Sequence, residues 1–153
     1  MERWESSDSF NRNGGLVRFM EDCIFCRIAQ GRAECAKVWE DGEHMAMLDK
    51  FPGMRMMTLV IPKKHYGSYA FHMPEAEYGK LMVASKKVAE LLTKALGGTR
   101  IGMVMEGLAV DHVHIKLYPL HGVGTDFKVI KSPMRAFFDR YPGFMVSSLG
   151  PEA

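Results

Sequence analysis

The stretch Asp111-His112-Val113-His114-Ile115-Lys116-Leu117-Tyr118-Pro119 alternates polar and apolar residues. In a strand, successive side chains point to opposite faces. His112, His114, Lys116 and Tyr118 then share one face at intervals of about 7 Å, while Val113, Ile115 and Leu117 enter a core. Two imidazoles and an ammonium in a row suit an anion such as a phosphate. Histidine can attack phosphorus, and a neighbouring cation can neutralise charge that develops on the phosphoryl oxygens. His-x-His is also a metal-ligand pattern. A solvated face of an antiparallel strand has the same alternation, so spacing alone leaves three readings open.

Cys23-Ile24-Phe25-Cys26 is the second signal. Two thiolates at that spacing, with histidines from elsewhere, can form a tetrahedral zinc site, and two ordinary buried cysteines are the plainer alternative. A redox role fits less well, because no βαβ pattern surrounds the pair. Pro62-Lys63-Lys64-His65 follows an apolar run and reads most simply as a charged turn. His44, His72 and His121 receive no role.

These residues need elements to position them. Asp22 is a candidate N-cap for two helical turns over CIFCRIAQ, stopped at Gly31. Strands are expected at 36–40 and 43–49, joined by the hairpin signal Asp41-Gly42. A third runs over 56–62 and ends at Pro62. Residues 74–96 form the clearest helix. Pro74, Glu75 and Glu77 lie in its first turn, and Tyr78, Leu81, Ser85, Val88, Leu92 and Ala95 make an apolar stripe that Gly97-Gly98 closes. Two more strands follow at 100–106 and 110–119, and Ser132-Pro133 is expected to start a short helix through Arg140. One long helix cannot cover both faces of a parallel sheet, so the expected class is α+β with an antiparallel sheet.

At 153 residues, the chain fits one domain and can bury a core without disulfides. No apolar run is long enough to cross a bilayer, and residues 1–15 contain no apolar signal segment. The formal net charge of +2 gives no broad electrostatic footprint for nucleic acid. Three cysteines, an odd number, argue for a reduced, cytoplasmic setting. Residues 1–21 read as a partly disordered extension, 22–121 as the domain, and 122–153 as a C-terminal segment.

Taken together, CIFCRI, Met47-Leu48-Asp49, LVIPKKH at 59–65, the long helix and HVHIKLY resemble the histidine triad (HIT) family of nucleotide hydrolases and transferases. The resemblance implies a five-stranded antiparallel sheet with one long helix and a short N-terminal helix, extended across a homodimer. It implies a purine nucleotide substrate, such as a phosphoramidate or a dinucleoside polyphosphate, cleaved at its α-phosphate. His114 matches the nucleophile, which forms a nucleotidyl-histidine intermediate, and His112 matches the residue that orients it. Asp49 matches the residue that binds the ribose hydroxyls, and Phe25, Ile28 and Met47 match positions around the base. Cys23, Cys26, His65 and His112 match the ligands of a structural zinc; no organic cofactor is implied. Two departures stand out. Lys116 occupies the third histidine position. Met105-Glu106-Gly107-Leu108-Ala109-Val110-Asp111 replaces the family's polar phosphate loop, leaving Glu106 or Asp111 as candidate substitutes. A nucleotide-binding module with little catalysis is therefore the alternative reading.

Overall fold

The structure, a computed structural model, describes residues 22–131 and 137–141. Helix α1 (Ile24–Ala29) leads into the strands β1 (Lys37–Glu40), β2 (His44–Leu48) and β3 (Thr58–Pro62). Helix α2 (Glu75–Ala95) follows, then β4 (Thr99–Val104) and β5 (Ile115–Gly124). The five strands form one sheet in the order β1-β2-β3-β5-β4, with every neighbour antiparallel. The class is α+β, as expected.

Local chemistry accounts for the boundaries. Asp41 Oδ1 accepts the backbone N–H of Glu43 (2.9 Å) and of His44 (2.7 Å), closing the β1–β2 turn as an aspartate-supported turn does. β3 starts at Thr58 and not at residue 56, because Met56 sits at φ 65°, outside the extended region. Helix α1 is capped at Cys23 and not at Asp22, with no side-chain capping bond. Helix α2 ends with Gly97 at φ 63°, where the Gly98 N–H reaches the Thr93 carbonyl (2.8 Å) and tightens the last turn.

The largest difference concerns β5. It begins at Ile115, after both histidines of the alternating stretch, and runs on to Gly124. Residues 105–114 are irregular because their N–H groups are satisfied locally or by another segment. Val110 bonds Leu108 (3.0 Å), His112 bonds Val110 (2.8 Å) and Val113 bonds Tyr66 (2.9 Å). At the far end, the Arg100 guanidinium donates to the carbonyls of Gly124, Thr125 and Asp126 and so holds the extension. Pro119 is tolerated because β3 begins at Thr58, opposite Leu117, so at Pro119 the strand is paired on one side only, with Ile101 of β4. Of the short helix expected over 132–140, residues 132–136 lie outside the described residues, and 137–141 are not helical.

The sheet has two covered faces. Leu81, Ala84, Val88 and Leu92 of α2 pack on Ala46, Val60, Val113, Ile115 and Leu117. Each fully buried aliphatic side chain there contributes about 1.5–3 kcal/mol. Ser85 fits this stripe because its hydroxyl donates to the Leu81 carbonyl (2.9 Å). On the other face, Phe25 and Cys26 of α1 pack with Met45, Met47, Met57, Leu59, Ile61 and Tyr118. The alternation of β5 thus does what its spacing predicts. Ile115 and Leu117 face α2, and Tyr118 faces α1. No helix among the described residues is long and apolar enough to cross a membrane.

Candidate functional site

The α1 face of the sheet collects the polar residues singled out in the sequence. His112, His114 and Lys116 are 0%, 3% and 6% exposed, which rules out a solvated strand face. Charged or imidazole groups this deeply buried need partners. Their partners define two adjoining sites.

The first is a four-ligand cluster. The ligand atoms of Cys23, Cys26, His65 and His112 all lie within 4.8 Å of one another. Helix α1 supplies Cys26 and its N-cap is Cys23, the turn after β3 supplies His65, and the segment before β5 supplies His112. His112 Nδ1 lies 3.5 Å from Cys23 Sγ and 3.6 Å from Cys26 Sγ, and His65 Nδ1 lies 3.3 Å from Cys26 Sγ. A tetrahedral zinc with ordinary Zn–S and Zn–N lengths puts sulfur and nitrogen about 3.6 Å apart, so these separations fit the edges of such a tetrahedron. Burial, then the neighbouring Cys23, pushes the Cys26 thiol up to about 12. A bare thiol there stays protonated, whereas a divalent metal deprotonates a coordinating thiol outright. The His112 Nε2–H donates to the Pro62 carbonyl (2.9 Å). A carbonyl only accepts, so this bond leaves the Nδ1 lone pair directed at the thiols, an outer-shell arrangement typical of ligating histidines. Burial also lowers His112 to about 4, which keeps that lone pair free at neutral pH.

The second site surrounds His114. Its Nδ1–H donates to the His112 carbonyl (2.8 Å), which leaves Nε2 as the atom bearing a lone pair. Burial pushes the His114 pKa below its ordinary value, so the ring is neutral near pH 7. Phe25 fixes the ring edge-on, with centroids 5.5 Å apart, and stands 5.7 Å from the His112 ring in the same manner. Met47 is buried in the apolar cluster that holds Phe25, and Ile28 packs against it. Asp49 follows the end of β2. Its Oδ1 accepts the Phe51 N–H (2.9 Å), and its charge acts on His114.

Lys116, two residues beyond His114, is ion-paired with Glu106. Glu106 also accepts the Tyr141 hydroxyl (2.6 Å). Burial alone would raise the Glu106 carboxyl; the bonds from Lys116 and Tyr141 outweigh it and hold the group below the usual value. Asp111, the other acidic candidate, is instead structural, accepting the Ser68 backbone N–H (2.8 Å) through Oδ1.

The structure therefore brings together all the residues singled out by type and spacing. His72 and His121 are exposed, and His44 is buried on the α2 face beside Asp41. Sequence reasoning did not foresee Tyr141 at the site. It stands 35 residues from Glu106, with no periodic pattern linking the two.

Comparison with known proteins follows the same lines. The HIT domain matches residues 30–123. A HIT-like protein of Methanocaldococcus jannaschii is 37% identical over 102 residues, covering 63% of this chain and 78% of that protein. An adenylylsulfatase of Arabidopsis thaliana is 27% identical over 103 residues, covering 64% of this chain and 52% of that protein. The crystal structure of a hypothetical histidine triad nucleotide-binding protein from Sulfolobus tokodaii superimposes with a TM-score of 0.60. It is 31% identical, covering 71% of this chain and 77% of that one.

Proposed function

The chain belongs to the HIT domain family, and from that premise we propose that it cleaves a purine nucleotide conjugate at the α-phosphate through His114. The observation that carries this reading is the bond from His114 Nδ1–H to the His112 carbonyl, which leaves a neutral imidazole with Nε2 available for attack.

The chemistry runs in two steps. The Nε2 lone pair attacks the α-phosphorus as the bond to the leaving group breaks, and that group departs with a proton taken up from solvent. Water then attacks the phosphorus of the nucleotidyl-histidine and breaks the N–P bond, releasing the nucleoside monophosphate, restoring the neutral ring and returning a proton to solvent. Phe25, Ile28 and Met47 would hold the base, and Asp49 the ribose hydroxyls. Lys116 would face the phosphoryl oxygens. The adenylylsulfatase relative acts on an adenylyl conjugate, and the Sulfolobus tokodaii relative is described as nucleotide-binding; both accord with such a substrate.

Cys23, Cys26, His65 and His112 would hold a zinc ion. Four protein ligands leave no open position, so the metal would supply folding stability and a fixed His112 in place of an activated water. The carbonyl of that same His112 orients His114, so the metal cluster and the nucleophile share one residue. We further propose that the chain pairs as a homodimer through its sheet and that residues 22–121 are the catalytic unit.

The test is AMP release from adenosine phosphoramidate and diadenosine tetraphosphate, with His114→Ala beside the wild type. Release from at least one conjugate that the substitution abolishes supports the reading; full turnover by His114→Ala refutes it. One observation favours a second reading, a nucleotide-binding module with little turnover: the Lys116 ammonium is already paired with Glu106. Nucleotide affinity by calorimetry without AMP release would establish that alternative.

A further inference from the structure

The four-ligand cluster has a closed side and an open side. Cys26 and His112 are 1% and 0% exposed, so solvent does not reach them. Cys23 and His65 instead line a cavity of about 340 Å³. Its mouth is built from exposed residues next to the ligands in the chain. Asp22 and Ile24 flank Cys23, and Ala109 and Asp111 come just before His112. His114 and Lys116 do not line this cavity.

A metal enclosed on all sides exchanges only when the fold opens locally. Here the size and chemistry of the open side suit a hydrated divalent cation. Water occupies about 30 Å³ per molecule in the liquid, so the six waters of such an ion need about 180 Å³, which the cavity can hold. Two carboxylates, Asp22 and Asp111, line it, and no lysine or arginine does so among the described residues. The Asp111 carboxylate is held in position by the Ser68 N–H (2.8 Å). Carboxylate oxygens suit an ion that keeps its waters, whereas thiolate and imidazole are the stronger ligands for zinc. The donors thus grade from oxygen at the exposed mouth to sulfur and nitrogen at the more buried Cys23 and His65.

We propose that this cavity is the exchange port of the metal cluster, in which Asp22 and Asp111 collect a hydrated divalent cation and pass it to Cys23 and His65 without unfolding of the chain. The proposal rests on the zinc reading given above and deepens it, from a fixed structural ion to one that exchanges in the folded protein. When the metal-free cluster loads, Cys23 and Cys26 each release a thiol proton to solvent as the sulfur binds the ion and its waters leave. When one ion replaces another, the bonds from sulfur and nitrogen to the outgoing ion break as those to the incoming ion form, and no proton is gained or lost.

The test follows cadmium replacing zinc in the zinc-loaded, full-length chain. Cadmium is the softer ion and is favoured by thiolates. The ultraviolet absorption of cadmium–thiolate bonds reports entry, and a zinc-sensitive dye reports release. In the wild type the rate should rise with cadmium concentration and stay constant in urea below the unfolding transition. The double variant Asp22→Asn, Asp111→Asn removes both charges and keeps an oxygen for the Ser68 N–H; it should exchange at least about tenfold more slowly. Added salt should slow the wild type towards that variant. Ile24→Trp obstructs the mouth without changing charge and should slow exchange severalfold. Circular dichroism checks that each variant is folded. A wild-type rate that ignores cadmium concentration and climbs with urea overturns the proposal, as does a folded double variant that exchanges as fast as the wild type. If no variant folds, the concentration dependence in the wild type still decides. A chain that binds no zinc overturns both this proposal and the zinc reading; one zinc per chain that exchanges only on unfolding overturns the port and leaves the zinc reading intact.

Discussion

Gly107→Ala is the substitution whose cost the structure fixes most closely. Gly107 has φ +67°, and an added Cβ would lie 3.0 Å from the Ser68 carbonyl carbon and closer still to its oxygen. Those are backbone atoms, so no rotamer change relieves the contact. Nor can Ser68 retreat freely. Its N–H is bonded to Asp111 Oδ1 (2.8 Å), and the neighbouring Tyr66 carbonyl accepts the Val113 N–H (2.9 Å). The left-handed conformation costs an alanine about 1–2 kcal/mol. Forcing the two backbones apart adds about 1–3 kcal/mol. Gly97 supplies the control: its φ is +63°, and a Cβ there would meet nothing within 4 Å. Gly97→Ala should therefore lose only the conformational part. Chemical denaturation followed by circular dichroism measures both. Gly107→Ala is expected to lose about 2–5 kcal/mol, the sum of those two costs, and to exceed Gly97→Ala by at least about 1 kcal/mol. Equal losses in the two variants would refute the claim that residues 66–68 and 107–113 are rigidly joined. Because Glu106 adjoins Gly107, Gly107→Ala should also depress AMP release, whereas Gly97→Ala should not.

Further expectations concern the metal, the pH profile and the core. Metal analysis should find about one zinc per chain, since Cys23, Cys26, His65 and His112 form a complete ligand set, and strong chelators should lower Tm; a chelator-treated, metal-free protein with unchanged Tm would contradict the site. His114 must be neutral to attack, and burial lowers its pKa, so activity is retained above that pKa and lost as pH falls through it. The acid limb of kcat/KM should accordingly have its midpoint below the ordinary histidine value of about 6.5, and a midpoint above it would contradict the burial argument. Lys116→Met should cost about 3–5 kcal/mol in denaturant unfolding, because it strands the Glu106 carboxylate. Leu81→Ala, fully buried between α2 and the sheet, should cost about 2–5 kcal/mol by the same measurement.

Much of the site was legible because side-chain period reports on burial. The alternation through Val113, Ile115 and Leu117 predicted which residues face α2, and the turn signals at Asp41-Gly42 and Gly97-Gly98 marked real chain reversals. Residue type flagged Cys23, Cys26 and His112, and the family resemblance added His65, although the four come from three separate segments. Other features were not legible, for identifiable reasons. The start of β5 depends on where the N–H groups of residues 110–113 find acceptors, and one of those acceptors is the distant Tyr66 carbonyl. The start of β3 depends on a left-handed Met56, a residue type that carries no such signal. The Lys116–Glu106 pair crosses an irregular segment, where neither helical nor strand spacing applies. The Tyr141 contact arises from chain return after β5, which local pattern does not encode.

The most direct test of the account looks for the covalent intermediate. Wild-type protein mixed with adenosine phosphoramidate and quenched in the first turnover is digested and its peptides are analysed by mass spectrometry. The account predicts an adenylyl group on the peptide containing His114, located at that residue by fragmentation and absent from His114→Ala. Rapid AMP release with no adduct on His114, or an adduct on another residue, would contradict it.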